Sequence, residues 1–206
     1  MSLPTLYAIL DAETCVRQSI SVRALAEQLY AGGVRLVQYR DKRNPPQAVL
    51  EAARQVAGVF SGDDCTLLLN DRADLARLMG WGVHVGQDDL SVADARACVG
   101  EAMIGISTHT REQFERALST DATYLAFGPI CSTPTKKDAA AVVGLEGLRR
   151  MRALTSRPLV AIGGITLERA AQVKAAGADS IAVIGGFFVP GRSVTEVARE
   201  YLQRLA

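Results

Sequence analysis

Three polar side chains alternate at the end of the apolar run VRLVQYRDK, and they are Gln38, Arg40 and Lys42. Alternate residues of a β-strand point to the same face. We therefore expect these side chains to share a face with Val34 and Leu36, which belong in a core. An unpaired charge on an inward face is costly. The segment predicts a small anion bound where this strand ends.

Two carboxylates follow the next two apolar runs. Asp71 comes directly after TLLLN, and Asp89 comes shortly after GVHVG. If these runs are neighbouring strands, the two carboxylates face each other across a small gap and can bind a hard cation such as Mg²⁺. Mg²⁺ on one or two carboxylates, with phosphate oxygens completing its shell and Arg and Lys nearby, is a usual way to bind pyrophosphate.

Further polar residues and glycines follow the remaining runs. Asn70 and Ser107 end two of them, and His109 follows the second. The segment GPICSTPTKKDAA carries three hydroxyl groups and two lysines, and the last two runs end in GGIT and IGGF. Gly-rich strand ends of this kind bind phosphate through backbone N–H groups in many barrel enzymes. The sequence thus predicts two anion sites, one for a diphosphate and one for a monophosphate.

Each of these residues also has a purely structural interpretation. Asn70 or Asp71 could cap the helix that follows, and Arg40 could form an ion pair at the barrel mouth. His84 fits a packed or hydrogen-bonded core residue better than a catalytic one, and His109 fits a helix entry. The paired glycines could serve tight turns alone. What favours a functional site is that these residues, apart from His84, lie at or just after the ends of strands and so converge on one edge of the sheet.

Eight short apolar runs alternate with amphipathic segments along the chain, a pattern typical of a parallel sheet covered by helices. The predicted strands are residues 5–10, 35–40, 66–70, 82–86, 103–107, 124–128, 158–163 and 180–185. The clearest predicted helices are residues 21–33, 46–60, 167–177 and 194–205. Eight such units predict an α/β fold of the (β/α)8 TIM-barrel class, with residues 1–206 as a single catalytic domain. An open doubly wound sheet is the alternative, but no GxGxxG follows the first strand.

Composition narrows the class of partner. The chain has 206 residues, 49% of them hydrophobic, with 23 basic and 22 acidic residues and a net charge of +1. This balance indicates neither nucleic acid nor a membrane as partner. The N-terminal segment is apolar for only a few residues, and the four widely spaced cysteines suit reduced thiols, so we expect a cytoplasmic protein. The sequence leaves a homo-oligomer open.

The motifs resemble one family in their order and spacing. QYRDK, NDRADLA, GVHVGQDDL, IGISTHT, GPICSTPTKKDA, AIGGIT and GADSIAVI are similar to the corresponding segments of the thiamine phosphate synthase family, and the resemblance covers nearly the whole chain. It implies a barrel transferase that joins hydroxymethylpyrimidine diphosphate to thiazole phosphate. The products would be thiamine phosphate and pyrophosphate, and Mg²⁺ would be the cofactor.

The resemblance also implies a role for each matching residue. Gln38, Arg40, Lys42 and Asn70 would bind the pyrimidine diphosphate, Asp71 and Asp89 would bind Mg²⁺, Ser107 and Lys136 would contact the diphosphate, Thr133 and Thr135 the thiazole substrate, and Gly164, Ile184 and Gly185 the thiazole phosphate. Arg40, Lys42, Ser107 and Lys136 would stabilise the charge on the leaving group and so act as catalytic residues.

The sequence departs from the family pattern at two places. Cys131 and Ser132 stand where family members commonly have an aromatic residue and a proline, and Gly185 stands where a serine is frequent.

Two other functions are alternatives to the synthase. A thiazole tautomerase-like isomerase would bind thiazole phosphate without the diphosphate residues. A non-catalytic barrel that binds thiazole phosphate or thiamine phosphate is the alternative from another class.

Overall fold

The computed structural model describes residues 3–62, 64–132 and 141–206. Eight parallel strands close into a barrel in which each strand pairs with the next along the chain and β8 pairs with β1. The strands are β1 Leu6–Asp11, β2 Leu36–Arg40, β3 Thr66–Asn70, β4 Gly82–Val85, β5 Ile104–Thr108, β6 Tyr124–Phe127, β7 Leu159–Ile162 and β8 Ser180–Val183. The predicted barrel fold is confirmed, and each strand lies within one to two residues of its predicted bounds.

Nine α-helices, counted over the described residues, cover the outside of the barrel. They are α1 Ala12–Arg17, α2 Val22–Ala31, α3 Pro46–Val59, α4 Ala73–Met79, α5 Val92–Val99, α6 Arg111–Leu118, α7 Gly144–Arg152, α8 Leu167–Ala175 and α9 Val194–Arg204. A three-residue 3-10 helix, Gly185–Phe187, follows β8. The short helix α1 was not predicted, and it inserts directly after β1. No helix in the described part of the chain is long and apolar enough to cross a membrane.

Local sequence explains where several helices begin. Ser21, Ser91 and Ser193 each accept a hydrogen bond from a backbone N–H of the first turn of α2, α5 and α9. Thr110 forms a capping box with Gln113 at the start of α6, a reciprocal arrangement that satisfies two otherwise unpaired N–H groups. These caps fix where each helix leaves the strand before it.

The barrel separates two apolar layers. One lies between the strands and the helices, and the other fills the barrel interior with side chains such as Tyr7, Leu36 and Tyr124. The prediction that Val34 shares the inward face with Leu36 is wrong. Val34 packs in the outer layer, because β2 begins only at Leu36 and the strand alternation does not extend back to residue 34.

Candidate active site

The carboxyl ends of the strands form one face of the barrel, called the rim below. At the end of β2, Arg40 pairs with Asp11, the last residue of β1, through an Nη1 to Oδ1 distance of 2.5 Å. Strand pairing places these two residues side by side. The other carboxylate oxygen of Asp11 accepts hydrogen bonds from the backbone N–H and hydroxyl of Thr14 in α1. Asp11 therefore holds Arg40 at the rim while it caps α1.

Asp71 lies just after β3 in a left-handed backbone conformation, with φ of +62°. Few residues other than glycine adopt this conformation, and such positions gather at functional sites. Its backbone N–H donates to the carbonyl oxygen of His84 on β4 at 2.8 Å, and its carboxylate lies 2.8 Å from the Nζ atom of Lys42. The capping interpretation is wrong: Arg72 occupies the N-cap of α4, which has no side-chain cap.

Asp89 lies on the loop after β4 and turns back onto the start of that loop. Its Oδ2 atom accepts a hydrogen bond from the backbone N–H of Gly86 at 2.7 Å. A Cβ atom at Gly86 would lie 2.9 Å from the same oxygen, so only glycine leaves room for this approach. The turn brings Asp89 into hydrogen-bonding contact with Asp71.

The pKa values of the two carboxyl groups shift in opposite directions. Burial, reinforced by the hydrogen bond with Asp89, raises the pKa of Asp71 above its ordinary value, although Lys42 acts in the opposite direction. Burial alone would raise the pKa of Asp89 too, but the hydrogen bonds from Asp71 and the Gly86 N–H hold it below its ordinary value. In the absence of a cation, Asp71 is therefore the first of the two carboxyl groups to take up a proton as the pH falls.

The donor set of this pair fits Mg²⁺. Both side chains offer only oxygen, and Mg²⁺ prefers one or two carboxylates together with water and phosphate oxygens. No group of three or more His, Cys, Asp or Glu side chains that could hold a metal occurs among the described residues. Within residues 3–62, 64–132 and 141–206, the two carboxyl groups would therefore leave most positions around a bound Mg²⁺ to water and phosphate oxygens.

A cavity with an empty volume of about 390 Å³, its open mouth included, lies at the centre of the rim. Its lining includes Gln38, Arg40, Asn70, Ser107 and Ile184, five of the predicted site residues. The Nδ2 atom of Asn70 is buried and has no hydrogen-bond partner in the part of the chain that the structure describes. Unpaired buried donors are rare in folded proteins. The amide of Asn70 is therefore suited to donate to a ligand in this cavity.

Below the cavity, five polar side chains form a continuous chain of hydrogen bonds. Gln38 Nε2 donates to Tyr7 Oη at 2.7 Å, and the hydroxyl groups of Tyr7 and Tyr124 lie 2.8 Å apart. His84 Nδ1 lies 2.7 Å from Tyr124 Oη, and His84 Nε2 lies 2.8 Å from Ser107 Oγ. His84 is thus a buried, hydrogen-bonded residue, as predicted. The chain links two predicted site residues, Gln38 on β2 and Ser107 on β5.

On the far side of the rim, the loop after β6 packs against the end of β7. Ile130 N–H and Cys131 N–H donate to the carbonyl oxygens of Ile162 and Gly163, each at 2.9 Å. Gly164 has φ of +63°, and a Cβ atom there would overlap the carbonyl oxygen of Ser132. A larger residue at 164 would therefore displace this loop.

The remaining predicted residues lie at the end of β8, outside the described residues, or at the start of α6. Ile184 lines the cavity, and the exposed Gly185 starts the 3-10 helix after β8. Thr133, Thr135 and Lys136 lie outside the described residues. His109 precedes the cap of α6 and donates from Nδ1 to the carbonyl oxygen of Gly128 at 2.7 Å, which agrees with the helix-entry interpretation.

Comparison with known proteins identifies the family. Residues 6–187 match the family model described as thiamine monophosphate synthase. The chain is 49% identical to the thiamine-phosphate synthase of Koribacter versatilis over 100% of this chain and 97% of the relative, and 42% identical to that of Chloroflexus aurantiacus over 95% and 89%. A thiamine phosphate pyrophosphorylase from Pyrococcus furiosus superimposes with a TM-score of 0.85 at 30% identity, covering 98% of this chain and 95% of that one. The chain belongs to the thiamine-phosphate synthase family.

Membership of the thiamine-phosphate synthase family makes the protein a transferase. The structure adds three residues that the sequence analysis did not select, namely Asp11 at the rim and Tyr7 and Tyr124 inside the barrel. Asp11 is the last residue of its strand, and Tyr7 and Tyr124 are alternate-position residues of β1 and β6, so the strand pattern could have indicated all three. A further cavity outside the barrel, next to α7 and α8, is lined by none of the predicted site residues that the structure describes.

Proposed function

We propose that the protein joins hydroxymethylpyrimidine diphosphate to thiazole phosphate and forms thiamine phosphate and pyrophosphate with the help of Mg²⁺. One arrangement carries this proposal. The carboxyl pair of Asp71 and Asp89 lies beside the Lys42 ammonium group, and both Arg40 and the unpaired amide of Asn70 line the adjoining cavity. Two carboxylates for a hard cation and two fixed cations suit a diphosphate better than a monophosphate.

The reaction breaks the bond between the pyrimidine methylene carbon and the diphosphate oxygen and forms a bond from that carbon to the thiazole nitrogen. The nitrogen attacks with its own lone pair, so no side chain has to remove a proton. The described rim does place the Ser107 hydroxyl next to the His84 imidazole at 2.8 Å, but the proposed reaction uses neither as a nucleophile or a base. The electron-rich aminopyrimidine stabilises positive charge on its methylene carbon, which favours a dissociative pathway.

In this proposal the chain acts mainly through charge. Arg40, Lys42 and Lys136 would stabilise the negative charge that develops on the leaving pyrophosphate, and Ser107 would donate a hydrogen bond to it. Asp71 and Asp89 would hold Mg²⁺, which supplies additional positive charge to the diphosphate oxygens when it is bound. Asp11 keeps Arg40 in place throughout, since its carboxylate is 3% exposed and already paired with that guanidinium group.

The thiazole substrate would bind on the opposite side of the rim. Thr133 and Thr135 would contact the thiazole, and the backbone of Gly164, Ile184 and Gly185 would bind its phosphate through N–H groups. The absence of a side chain at Gly185 removes a hydroxyl group but leaves the backbone donor. We also propose a cytoplasmic location, since all four cysteines are free thiols, as is usual in that reducing compartment.

Two rival functions predict different dependence on the diphosphate residues. A thiazole tautomerase-like isomerase would act on thiazole phosphate alone, and a binding barrel would retain its ligand unchanged. Neither has a use for the Asp71 and Asp89 pair or for Arg40 and Lys42. The retention of all four residues at the rim therefore favours the synthase.

One experiment separates the three functions. The purified protein is incubated with thiazole phosphate alone, with the pyrimidine diphosphate alone and with both, each with Mg²⁺ and with a chelator. The synthase forms thiamine phosphate and pyrophosphate only with both substrates and Mg²⁺. Isomerisation of thiazole phosphate alone, without thiamine phosphate formation, would support the isomerase, and binding without any conversion would support the binding barrel.

A further inference from the structure

The hydrogen-bonded chain from Gln38 to Ser107 crosses the barrel interior and is built rigidly. Tyr7 is 1% exposed and Tyr124 is 0% exposed. Their rings meet edge to face at 5.9 Å, and His84 stacks on Tyr124 at 5.6 Å. A Cβ atom at Gly105 on β5 would overlap the Tyr124 ring, so the neighbouring strand leaves the space that this tyrosine occupies.

The protons of this chain cannot be arranged independently. Burial raises the pKa of Tyr7 and of Tyr124, so both hydroxyl groups keep their single proton. A buried O–H group without an acceptor is costly. Each tyrosine must therefore donate to one neighbour in the chain and accept from the other. With a neutral His84, all the hydrogen bonds then run in the same direction, either from Gln38 towards Ser107 or the reverse.

In the first direction, the Gln38 amide N–H donates to Tyr7, Tyr7 to Tyr124, and Tyr124 to Nδ1 of a neutral His84. The proton of His84 is then on Nε2 and donates to Ser107 Oγ, so the Ser107 O–H is left to donate into the cavity. In the reverse direction, the Ser107 O–H is used up on His84 Nε2, His84 carries its proton on Nδ1, and Gln38 must present its carbonyl oxygen to Tyr7.

Two independent features select the first direction. The structure places Gln38 Nε2 towards Tyr7, which leaves the amide carbonyl oxygen available as an acceptor. The second feature rests on the proposed function. A diphosphate next to Ser107 offers only acceptors and needs a donor there, whereas an aminopyrimidine next to Gln38 offers N–H donors and needs an acceptor.

We propose that Tyr7, Tyr124 and His84 are positioning residues that couple the hydrogen-bond direction at Gln38 to that at Ser107. The pocket then presents an acceptor at the pyrimidine end and a hydroxyl donor at the diphosphate end, and neither can be reversed without reversing the other. None of the three positioning residues has to contact the reacting atoms.

The tautomer of His84 reports this direction in the ligand-free protein. The chain has only two histidines, so nitrogen NMR of the two imidazole rings is readily assigned. At about pH 8, where imidazole is ordinarily neutral, we expect the His84 proton on Nε2. His109 serves as the internal reference with its proton on Nδ1, because that atom donates to the carbonyl oxygen of Gly128. A His84 proton on Nδ1 in the unaltered protein would overturn the assigned direction.

Gln38→Glu tests the coupling itself. A carboxylate can only accept from Tyr7, so the whole chain should reverse and move the His84 proton from Nε2 to Nδ1, with His109 unchanged. Adding Tyr124→Phe interrupts the chain, and Gln38→Glu should then leave the His84 tautomer as it is in Tyr124→Phe alone. An unchanged His84 tautomer in folded Gln38→Glu would refute the coupling. If Gln38→Glu does not fold, Gln38→Asp offers a smaller side chain that likewise can only accept, and it should also move the His84 proton to Nδ1. An unchanged tautomer in folded Gln38→Asp would refute the coupling equally.

Steady-state kinetics provide a second test of the coupling between Gln38 and Ser107. Ser107→Ala should cost about tenfold or more in turnover in the parent protein, the loss expected for one hydrogen bond to a charged group. The same change should cost little in the Gln38→Glu background, because Ser107 no longer donates into the cavity there. The NMR experiment needs no substrate, so a protein that shows the tautomer response but makes no thiamine phosphate would contradict the proposed function and leave the coupling intact.

Discussion

Replacing Asp71 by asparagine should separate activity from stability. The change keeps the size of the side chain but removes one of the two carboxylates that we assign to Mg²⁺. Turnover with Mg²⁺ should fall at least about a hundredfold, the loss expected from removing one strong electrostatic contact of about 2.7 kcal/mol. Asp89→Asn should have a similar effect, because the site needs both carboxylates.

The stability of the same variant should not fall. The pKa of Asp71 is raised, chiefly by burial, so ionised Asp71 is less favourable in the folded than in the unfolded chain. The lost Lys42 pair is worth at most about 1 kcal/mol, because the Lys42 side chain is 46% exposed. For a chain of this size 1 kcal/mol corresponds to about 2–4 °C in Tm. We therefore expect the Tm of Asp71→Asn to stay within about that range of the parent, and on the higher side.

The stability difference between Asp71→Asn and the parent should depend on pH in a definite direction. A carboxyl group with a raised folded pKa contributes stability at low pH, and that contribution is lost as pH rises through the raised value. Asparagine has no such contribution to lose. The Tm advantage of Asp71→Asn over the parent should therefore be larger at about pH 8 than at about pH 4, where aspartate begins to be protonated even when unfolded.

The assay is steady-state turnover with Mg²⁺, together with thermal unfolding at both pH values. Asp88→Asn is the matched control, since Asp88 is an exposed carboxylate one residue from Asp89 on the same loop. It should leave turnover and Tm close to those of the parent. Near-parental turnover in Asp71→Asn would refute the metal assignment, and a large fall in its Tm at pH 8 would refute the electrostatic reasoning.

Two further predictions concern the anion sites. Arg40→Ala and Lys42→Ala should weaken binding of the pyrimidine diphosphate about tenfold or more while nearly preserving thiazole phosphate affinity, as calorimetry can measure; the exposed Arg43→Ala should change neither affinity, and equal losses for both ligands would indicate general disruption of the rim. Gly185→Ser should keep activity, because only backbone N–H groups are needed there. Gly186→Ala should instead destabilise the protein by about 1–3 kcal/mol. The added Cβ atom would lie 2.5 Å from the buried hydroxyl group of Tyr201. Steady-state kinetics test the activity of Gly185→Ser, and unfolding curves compare the stability of the two variants. Equal stability of both would contradict the packing argument for Gly186.

The strands and most of their bounds followed from the sequence because burial in a closed barrel leaves a direct pattern of apolar runs. The wrong prediction that Val34 faces the barrel interior came from the same pattern of apolar runs. A continuous apolar run does not reveal where strand geometry begins, and β2 starts two residues later. The additional helix α1 was missed because it is only six residues long and its start depends on the side chain of Asp11.

The candidate site was predictable as a set of residue types but not as a set of contacts. Asp11 was not selected because its function depends on lying beside Arg40, which follows from the pairing register of β1 with β2. The connection from Gln38 to Ser107 likewise depends on two tyrosines from β1 and β6 meeting inside the barrel. Sequence alternation assigns each tyrosine to a face, but it does not indicate which side chains meet across the interior.

The central claim is that this rim joins the two substrates with Mg²⁺, and the ratio of products tests it most directly. Purified protein with both substrates and Mg²⁺ is expected to release one pyrophosphate for each thiamine phosphate formed, and a chelator should abolish both products. Restoring Mg²⁺ should restore both. Pyrophosphate release without thiamine phosphate, or thiamine phosphate formation that is unaffected by the chelator, would contradict the account.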